Sequence, residues 1–271
     1  MAGKMNNMSG WNIGRLVLLM ESLVAKDLKV RYKRSVLGFA WFLLKPLFSM
    51  LVYYFVFTRI LRFGGAIPHF SLFLLTGLLP WNFFSSSLNA STGSLLDNHR
   101  LIRSIYFPRM ALPAAEVAAN LVHLLLALVV LEALMVVFGH YPGISILLVL
   151  PAVLLLTLMT VGIGMLLSIG NVFYRDVRQF IEVLLLAWFY ASPIIYPLDS
   201  IGVDIIESSK LVQILKFNPV SGFMEIMHSI FYAGTWPPAW CWVSLGSWSV
   251  FFLIAGMAVF RKAEPVVVKE L

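Results

Sequence analysis

The chain has 271 residues, of which 60% are hydrophobic and 12% are charged, whereas typical soluble domains have about 25% charged residues. This composition excludes an ordinary soluble domain and predicts an integral membrane protein. The net charge of +7 does not indicate a nucleic-acid binder, because the basic residues form short clusters between apolar runs and not one exposed face.

Residues 13–34 precede the first long apolar run, and we predict that they form a helix lying in the membrane interface. Their apolar side chains fall on one side of a helical wheel, opposite Glu21 and Lys29. Asp27 falls inside the apolar arc, so a helix that ends in a turn near Lys26 is the alternative. The first 14 residues lack the apolar run of a signal peptide, and we expect no cleavage.

Six apolar runs follow, each close to the roughly 20 residues that a bilayer core about 30 Å thick requires. We place these predicted spans at 36–59, 69–92, 111–138, 144–171, 180–197 and 239–260. Cytoplasmic segments retain lysine and arginine, and both termini are predicted to be cytoplasmic. With that orientation, the outer segments hold few of the 20 lysines and arginines, namely Arg59, Arg62, Lys210 and Lys216.

The first predicted span carries Lys45 next to Pro46. A lysine at the bilayer centre costs about 2.5 to 3.5 kcal/mol. Near the end of a span, its ammonium group can instead reach the interface by extending along the helix. Contact with a lipid phosphate is the alternative interpretation.

A polar stripe follows Pro80 in the second predicted span. Asn82, Ser85, Ser86 and Asn89 recur at helical spacing and share one face. Such a face contacts protein or water and not lipid. It indicates either interhelical packing through small and amide side chains or the wall of a hydrophilic path.

The segment 95–107 connects the second and third predicted spans on the cytoplasmic side. It is too apolar for a solvated loop and too short for a domain. A short amphipathic element that docks on a soluble partner would explain this composition. Packing against the membrane surface is the alternative.

The third predicted span places Glu116, Asn120 and His123 on one helix face. Ionisable groups in a span are candidates for proton transfer or metal binding. We favour a polar helix interface, because two candidate ligands on one helix do not make a metal site. Cys241 is the single cysteine, which excludes an internal disulfide and a multi-cysteine metal site.

The outer end of the fifth predicted span, residues 188–197, is rich in aromatic side chains. These side chains form either an interfacial belt or a surface that stacks on sugar rings. The outer segment 198–238 that follows contains a short amphipathic helix that we predict re-enters the membrane and gates an exit. No phosphate-binding loop, nucleophile elbow or zinc motif occurs in the sequence, so no catalytic residue is predicted.

The pattern Lys-Asp-Leu-Lys-x-Arg-Tyr-x-x-Ser-x-Leu-Gly at 26–38 resembles the start of type-2 ABC permeases that export lipid-linked polysaccharides. Further segments resemble the same family in the same order along the chain. They are 95–108, 171–178, 188–197, and 218–219 together with the tail 260–265. The family comprises the membrane subunits of O-antigen, capsular polysaccharide and teichoic-acid exporters.

The resemblance implies an all-α transmembrane domain over residues 1–271, with an interface helix at 13–34 and a six-span bundle at 36–260. It further implies a homodimer in the bacterial inner membrane, paired with two copies of a separate ATPase that binds ATP and magnesium. The exported cargo would be a polyprenyl-diphosphate-linked glycan, with O-antigen as the first expectation.

Site residues follow in part from the matched positions and in part from the residue patterns described above. The coupling element that contacts the ATPase is expected at Leu95, Leu96, Asp97, Asn98, His99, Arg100, Leu101 and Ile102. Channel or gate candidates are Trp81, Asn82, Phe84, Ser85, Ser86, Asn89, Trp188, Phe189, Tyr190 and Tyr196. Arg31, Lys33 and Arg34 are candidates to bind the lipid diphosphate, and a role in orientation alone is their alternative.

Lys45, Glu116 and His123 depart from the family pattern, which leaves the substrate contacts open. Two other functions remain. One is a type-2 ABC permease for another cargo, such as teichoic acid, a drug or a small lipid. The other is a stand-alone membrane transferase, which an adjacent gene for a phosphate-loop ATPase would exclude.

Overall fold

Helices carry the regular structure of this protein, and no strand occurs among the residues that the computed structural model describes: 13–32, 41–60, 69–139, 141, 143–198 and 208–270. The helices are α1 (Ile13–Tyr32), α2 (Trp41–Tyr54), α3 (Phe70–Asp97), α4 (His99–Ser104), α5 (Ala111–Val137), α6 (Val149–Phe173), α7 (Val177–Tyr190), α8 (Ser208–Phe217), α9 (Ser221–Met227) and α10 (Ala239–Glu270). π-helical turns extend α2 over Phe55–Ile60 and α9 over His228–Tyr232, and a 3₁₀ turn, Gly143–Leu148, precedes α6.

Within the described ranges, three helices are long and apolar enough to cross a bilayer. They cover Ala111–Val137, Gly143–Phe173 and Ala239–Val267. The other predicted spans correspond to α2, α3 and α7. The first and last of these have 14 residues each, fewer than the roughly 20 that a bilayer core requires, and α3 becomes polar in its second half.

The centre of the structure is α3. Every residue from Phe70 to Trp81 is buried, as expected for a helix that is apolar all round and has neighbours on each side. The helix continues through Pro80. Its second half buries hydroxyl groups that donate to carbonyls of the same helix, such as Thr92 Oγ1 to Leu88 O at 2.7 Å. Thr92 and Ser94 are satisfied in this way without water, whereas Ser87 Oγ is buried with no hydrogen-bond partner among the described residues.

Two glycines bring α6 and α10 into backbone contact. A Cβ atom at Gly162 would overlap the backbone of Phe252 and Leu253, and one at Gly256 would overlap the backbone of Gly162. Small residues at helix interfaces in membranes permit this close approach, which gains dispersion contacts. The packing of α10 against α6 therefore depends on these two positions.

A separate group of apolar side chains, the second apolar cluster, joins the ends of several helices away from the main core. Its buried members are Leu95, Ile102, Phe107, Leu112, Met165, Ile169, Phe260 and Val267. Leu19 and Leu23 of α1 pack against it. The cluster therefore connects α1, α3, α4, α5, α6 and α10 at one end of the molecule.

We expect Gly162→Ala to lower the stability of the protein, because the added methyl group meets backbone atoms that cannot change rotamer. Overpacking of this kind costs about 1 to 3 kcal/mol. Thermal unfolding of the purified protein in detergent measures the effect as a lower midpoint.

Gly246→Ala is the matched control, since no atom in the described part of the chain lies within 4 Å of a Cβ atom at this position of α10. Alanine is favoured over glycine in a helix, so this variant should unfold at an equal or higher temperature. Equal midpoints for the Gly162 variant and the wild type would contradict the close contact.

Candidate functional site

The polar stripe of α3 is partly exposed. Asn82 and Ser86 are exposed, whereas Ser85 and Asn89 are half-buried. Ser85 Oγ donates a hydrogen bond to Asn82 O at 3.4 Å. The exposed polar groups lie near the middle of a 28-residue helix, and such groups are satisfied by water or polypeptide and not by lipid. This face therefore suits water or another polypeptide.

The aromatic candidates divide between core and surface. Trp81 and Phe84 are 6% and 0% exposed, so they pack within the chain and offer no surface for a passage in this conformation. The Phe84 and Trp188 rings meet edge to face with centroids 5.3 Å apart, and Trp81 and Phe189 lie 5.7 Å apart. These pairs hold α3 against α7. A role of these four aromatic residues in a channel or gate stays a prediction.

Tyrosines mark the surface beyond these pairs. Tyr190 is 64% exposed at the end of α7. Tyr196 is half-buried, and its hydroxyl donates a hydrogen bond to Tyr190 O at 3.1 Å. Tyr190 therefore offers an exposed ring, and Tyr196 holds its backbone.

Most of α7 has no neighbour among the described residues. Only Ile181 and Leu185 are buried among its 14 residues. Large apolar side chains point away from the rest of the molecule, including Phe180, Val183 and Leu186. α7 contacts α3 through the Trp188 and Phe189 rings, and the face that carries Phe180, Val183 and Leu186 stays exposed. Lipid or a second copy of the chain would cover it.

Asn218 is a hydrogen-bonding centre whose role the sequence analysis did not identify. Its Oδ1 accepts from Trp188 Nε1 at 2.9 Å and from the backbone N–H of Val220 at 3.1 Å. Its Nδ2 donates to Ala191 O at 2.9 Å and to Ser192 Oγ at 3.0 Å. One side chain thus ties the start of α9 to the end of α7. The sequence signals at this position were the resemblance of 218–219 to the family and an asparagine just before a helix start, which is a common turn residue.

α9 lies in the interior of the described structure. Gly77 of α3 faces it, because a Cβ atom there would lie 3.2 Å from Ile194 and 3.3 Å from His228 Nε2. The His228 ring stacks on Phe73 with centroids 4.0 Å apart. On the other side, a Cβ atom at Gly222 would lie 2.7 Å from Cys241 O of α10. α9 and its π-helical extension are therefore wedged between α3 and α10.

The expected coupling element is divided between two helices. Leu95, Leu96 and Asp97 end α3, Asn98 forms the turn, and His99 to Ile102 belong to α4. Leu95 and Ile102 are 0% and 5% exposed and belong to the second apolar cluster, so they cannot contact a partner directly. Leu96 and Leu101 are half-buried against the same cluster. These residues position the element and do not form its outer face.

The outer face of this element is basic and aromatic. Its exposed residues are Asp97, His99, Arg100, Arg103, Ser104, Ile105 and Tyr106. Ile105 and Tyr106, which are 50% and 63% exposed, lie within the predicted docking segment 95–107, beyond Ile102. After the docking role that the sequence predicts, we call residues 95–107 the docking element. We call Arg100, Arg103, Ile105 and Tyr106 its basic docking face.

Two contacts attach this element to other helices. Lys26 Nζ of α1 donates a hydrogen bond to Asn98 Oδ1 at 3.2 Å, and Asn98 Nδ2 donates to Ser94 O at 2.9 Å. Arg109, just beyond the element, forms an ion pair with Glu264 of α10 at 3.1 Å. The element is therefore held from both α1 and α10.

Some predicted site residues cannot be placed. Lys33 and Arg34 lie outside the described residues, and only the backbone of Arg31 in α1 and of Lys45 in α2 is described. Within the predicted gate segment 198–238, residues 199–207 also lie outside the described residues, and the remainder is described.

The polar residues of α5 lie partly inside the structure. Asn120 is 3% exposed, and its Nδ2 donates to Glu116 O at 3.0 Å. Glu116 and His123 are half-buried. Among the described residues, no three histidine, cysteine, aspartate or glutamate side chains are grouped closely enough to hold a metal ion.

Comparison with known proteins shows which family the chain belongs to. A model of the ABC-2 type transporter family matches residues 19–232, which run from α1 to the π-helical extension of α9. The chain belongs to the ABC-2 type transporter family. It is therefore an all-helical membrane transport protein, and α1, the docking element and α9 all lie in the part shared with the family.

Relatives cover this ABC-2 chain almost completely. It is 34% identical over 256 residues to an O-antigen export system permease protein of Klebsiella pneumoniae, covering 94% of this chain and 95% of the relative. It is 34% identical over 243 residues to a protein of the same name from Myxococcus xanthus, with 90% and 91% covered. A polysialic acid transport protein of Escherichia coli is 26% identical over 262 residues, with 94% and 96% covered.

We expect Asn218→Leu to loosen α9, because the change removes four hydrogen bonds and leaves the Trp188 indole N–H without its acceptor. An unsatisfied buried donor costs about 1 to 3 kcal/mol. Hydrogen exchange should become faster in residues 221–232 than in the wild type. Mass spectrometry of peptides from this region provides the measurement.

Asn218→Asp distinguishes the hydrogen bonds that the Asn218 side chain accepts from those that it donates. It keeps the acceptor for Trp188 and Val220 but loses both donated hydrogen bonds, so its exchange should fall between the wild type and Asn218→Leu. Gln213→Leu, at an exposed position of α8, serves as the control. Unchanged exchange in Asn218→Leu would show that Asn218 does not hold α9.

Proposed function

We propose that this chain is the membrane-spanning permease subunit of an ABC exporter that moves a polyprenyl-diphosphate-linked polysaccharide, with O-antigen as cargo, out across the bacterial inner membrane. The observation that carries this proposal is the 34% identity, over almost the full length of both chains, to permeases named for O-antigen export. Capsular polysaccharide is the second candidate cargo, since a polysialic acid transport protein also matches over 94% of this chain.

ATP hydrolysis belongs to a separate subunit in this proposal. The sequence contains no Gly-x-x-x-x-Gly-Lys-Ser/Thr loop that could hold nucleotide phosphates, and the relatives are named as permeases. Two ATPase copies, each binding ATP and magnesium, would pair with two copies of this chain. Residues 1–271 then form one transmembrane domain without catalytic residues.

Six spans per chain are part of the proposal. α2 with its π-helical extension, α3, and α7 with the turns up to 197 join the three long apolar helices as spans. α3 supports this assignment, because its 28 residues extend about 42 Å at 1.5 Å per residue. Basic residues between the spans favour cytoplasmic termini. α8 and α9 then lie on the outer side, with α9 re-entering the membrane as part of an exit gate.

The proposed path for the glycan runs along the exposed stripe of α3. Asn82 and Ser86 offer hydrogen bonds to sugar hydroxyls or water at mid-membrane, where lipid contact would be unfavourable. The exposed apolar face of α7 suits contact with a second copy or with the lipid-like carrier. Two chains facing each other would enclose a passage with polar and apolar sides, which fits a glycan joined to a polyprenyl lipid.

The remaining site proposals concern the inner surface. α1 would lie in the inner interface, and Arg31, Lys33 and Arg34 would bind the lipid diphosphate through clustered positive charge. The basic docking face would contact the ATPase subunit. Arginines flanking exposed apolar side chains fit a partner groove with an apolar floor and an acidic rim.

Depletion of this protein tests the proposed function. Long glycan attached to its polyprenyl carrier should accumulate inside the cell, and the surface polysaccharide should disappear. Extraction of the lipid-linked fraction, with immunoblotting of surface glycan, provides both measurements and identifies the cargo. Unchanged glycan in both fractions would refute polysaccharide export.

The depletion strain also tests whether the glycan moves along the exposed stripe of α3. Complementation with Ser86→Leu should restore about tenfold less surface glycan than the wild type, since an apolar constriction excludes water from a polar passage. Ser247→Leu is the matched control, because Ser247 is an exposed serine on α10, away from the stripe. Equal complementation by both variants, at equal protein levels, would exclude the α3 stripe as the path.

The docking face is tested by a double charge reversal, Arg100→Glu with Arg103→Glu. Like charges across a charge-complementary interface oppose association, so binding of the ATPase subunit should weaken by about tenfold or more. Co-purification at graded salt concentrations, together with ATPase activity of the complex, measures the loss.

Lys269→Glu reverses an exposed charge at the far end of α10 and is the control for net charge. It should bind the ATPase subunit as the wild type does. Full binding by the double variant would exclude the basic docking face as the contact surface.

A further inference from the structure

The ion pair between Arg109 and Glu264 joins two parts of the chain that are 155 residues apart. Arg109 Nη1 lies 3.1 Å from Glu264 Oε1, and the two side chains are only 14% and 21% exposed. A pair so removed from solvent is screened less than a surface pair. Loss of either partner would leave the other charge largely buried and uncompensated.

On one side, Arg109 belongs to the short loop that connects α4 to α5. Phe107, which is 2% exposed, anchors this loop in the second apolar cluster. The carbonyl of Arg109 accepts a hydrogen bond from the N–H of Leu112 at 3.0 Å, in the first turn of α5. The loop that carries Ile105 and Tyr106, and that follows Arg100 and Arg103 of α4, is therefore fixed where Arg109 meets α10.

On the other side, Glu264 lies near the end of α10. This helix has 32 residues, about 48 Å at 1.5 Å per residue, and so exceeds a bilayer core of about 30 Å. Phe260 and Val267, each 1% exposed, bury its last turns in the second apolar cluster on either side of Glu264. The final part of α10 is thus built into the same cluster as the docking element.

The first part of α10 meets α9. Gly222 of α9 approaches Cys241 O so closely that a Cβ atom would lie 2.7 Å away, and Gly162 and Gly256 hold the middle of α10 against α6. One continuous helix therefore contacts the docking element at one end and α9 at the other. The Arg109–Glu264 ion pair lies at the end of α10 that contacts the docking element.

We propose that Arg109 and Glu264 are positioning residues that transmit movement of the docking element through α10 to α9. The proposal rests on the proposed function, in that a partner ATPase moves the docking element when it binds nucleotide. The pair holds the α4–α5 loop against α10, so displacement of the loop carries α10 with it. α9 responds because it packs directly on the first turns of α10.

Hydrogen exchange of the permease–ATPase complex in lipid nanodiscs tests this proposal without any cargo. A non-hydrolysable ATP analogue should change the exchange rate of residues 221–232 in the wild type. Arg109→Glu and Glu264→Arg should each reduce that nucleotide-dependent change by about fivefold or more, a typical size for energetic coupling between sites. The exchanged pair, Arg109→Glu with Glu264→Arg, should restore it.

Lys262→Glu is the control, since it reverses an exposed charge on the same part of α10 without touching the pair. Glu264→Gln keeps the side-chain volume and provides a milder variant if a charge reversal prevents assembly. Restoration by the exchanged pair distinguishes transmission from a general loss of folding.

Two results would overturn the proposal. One is a wild-type complex in which nucleotide leaves the exchange of residues 221–232 unchanged. The other is an assembled Arg109→Glu or Glu264→Gln complex that responds as the wild type does. Failure of the proposed function is seen in a separate measurement, as an absence of glycan export by the wild type. The hydrogen-exchange measurement decides the transmission proposal whether or not the exported cargo is a glycan.

Discussion

The burial of α3 is the constraint on which the rest of the structure depends. From Phe70 to Trp81 this helix is covered on all sides, so α5, α6, α7 and α9 must each present an apolar surface to it. Aromatic pairs fix α7 on one side, and the His228 ring stacks on Phe73 on another. The second half of α3 is exposed along one stripe that includes Asn82 and Ser86, whereas residues 91–95 stay buried.

Backbone contact through glycine provides the second constraint. Gly162 and Gly256 place α10 against α6 with no side chain between them, and Gly222 places α9 against α10. In a membrane, where apolar side chains gain little by leaving lipid, such close packing is a principal source of helix association. The same contacts make α10 a continuous connection between the second apolar cluster and α9.

Sequence reasoning succeeded where a local pattern was sufficient. The helical spacing of Asn82, Ser85, Ser86 and Asn89 predicted a shared face, and the structure exposes two of the four. Packing between helices depends on more than a local pattern: Trp81 and Phe84 lie in the core, where rings of α7 contact them. Likewise, no local sequence pattern indicated that Asn218 forms hydrogen bonds with residues 26 to 30 positions away.

By itself, the sequence determined that this is a helical membrane protein of the ABC-2 type, since composition, apolar run length and ordered family segments are properties of the chain alone. Only the tertiary structure decided which side of the coupling element is exposed, burying Leu95 and Ile102 and presenting Ile105 and Tyr106. It also brought Arg109 to Glu264 across 155 residues. The physical reason is that burial and ion pairing depend on which helices become neighbours, whereas hydrophobicity and helical periodicity depend on adjacent residues.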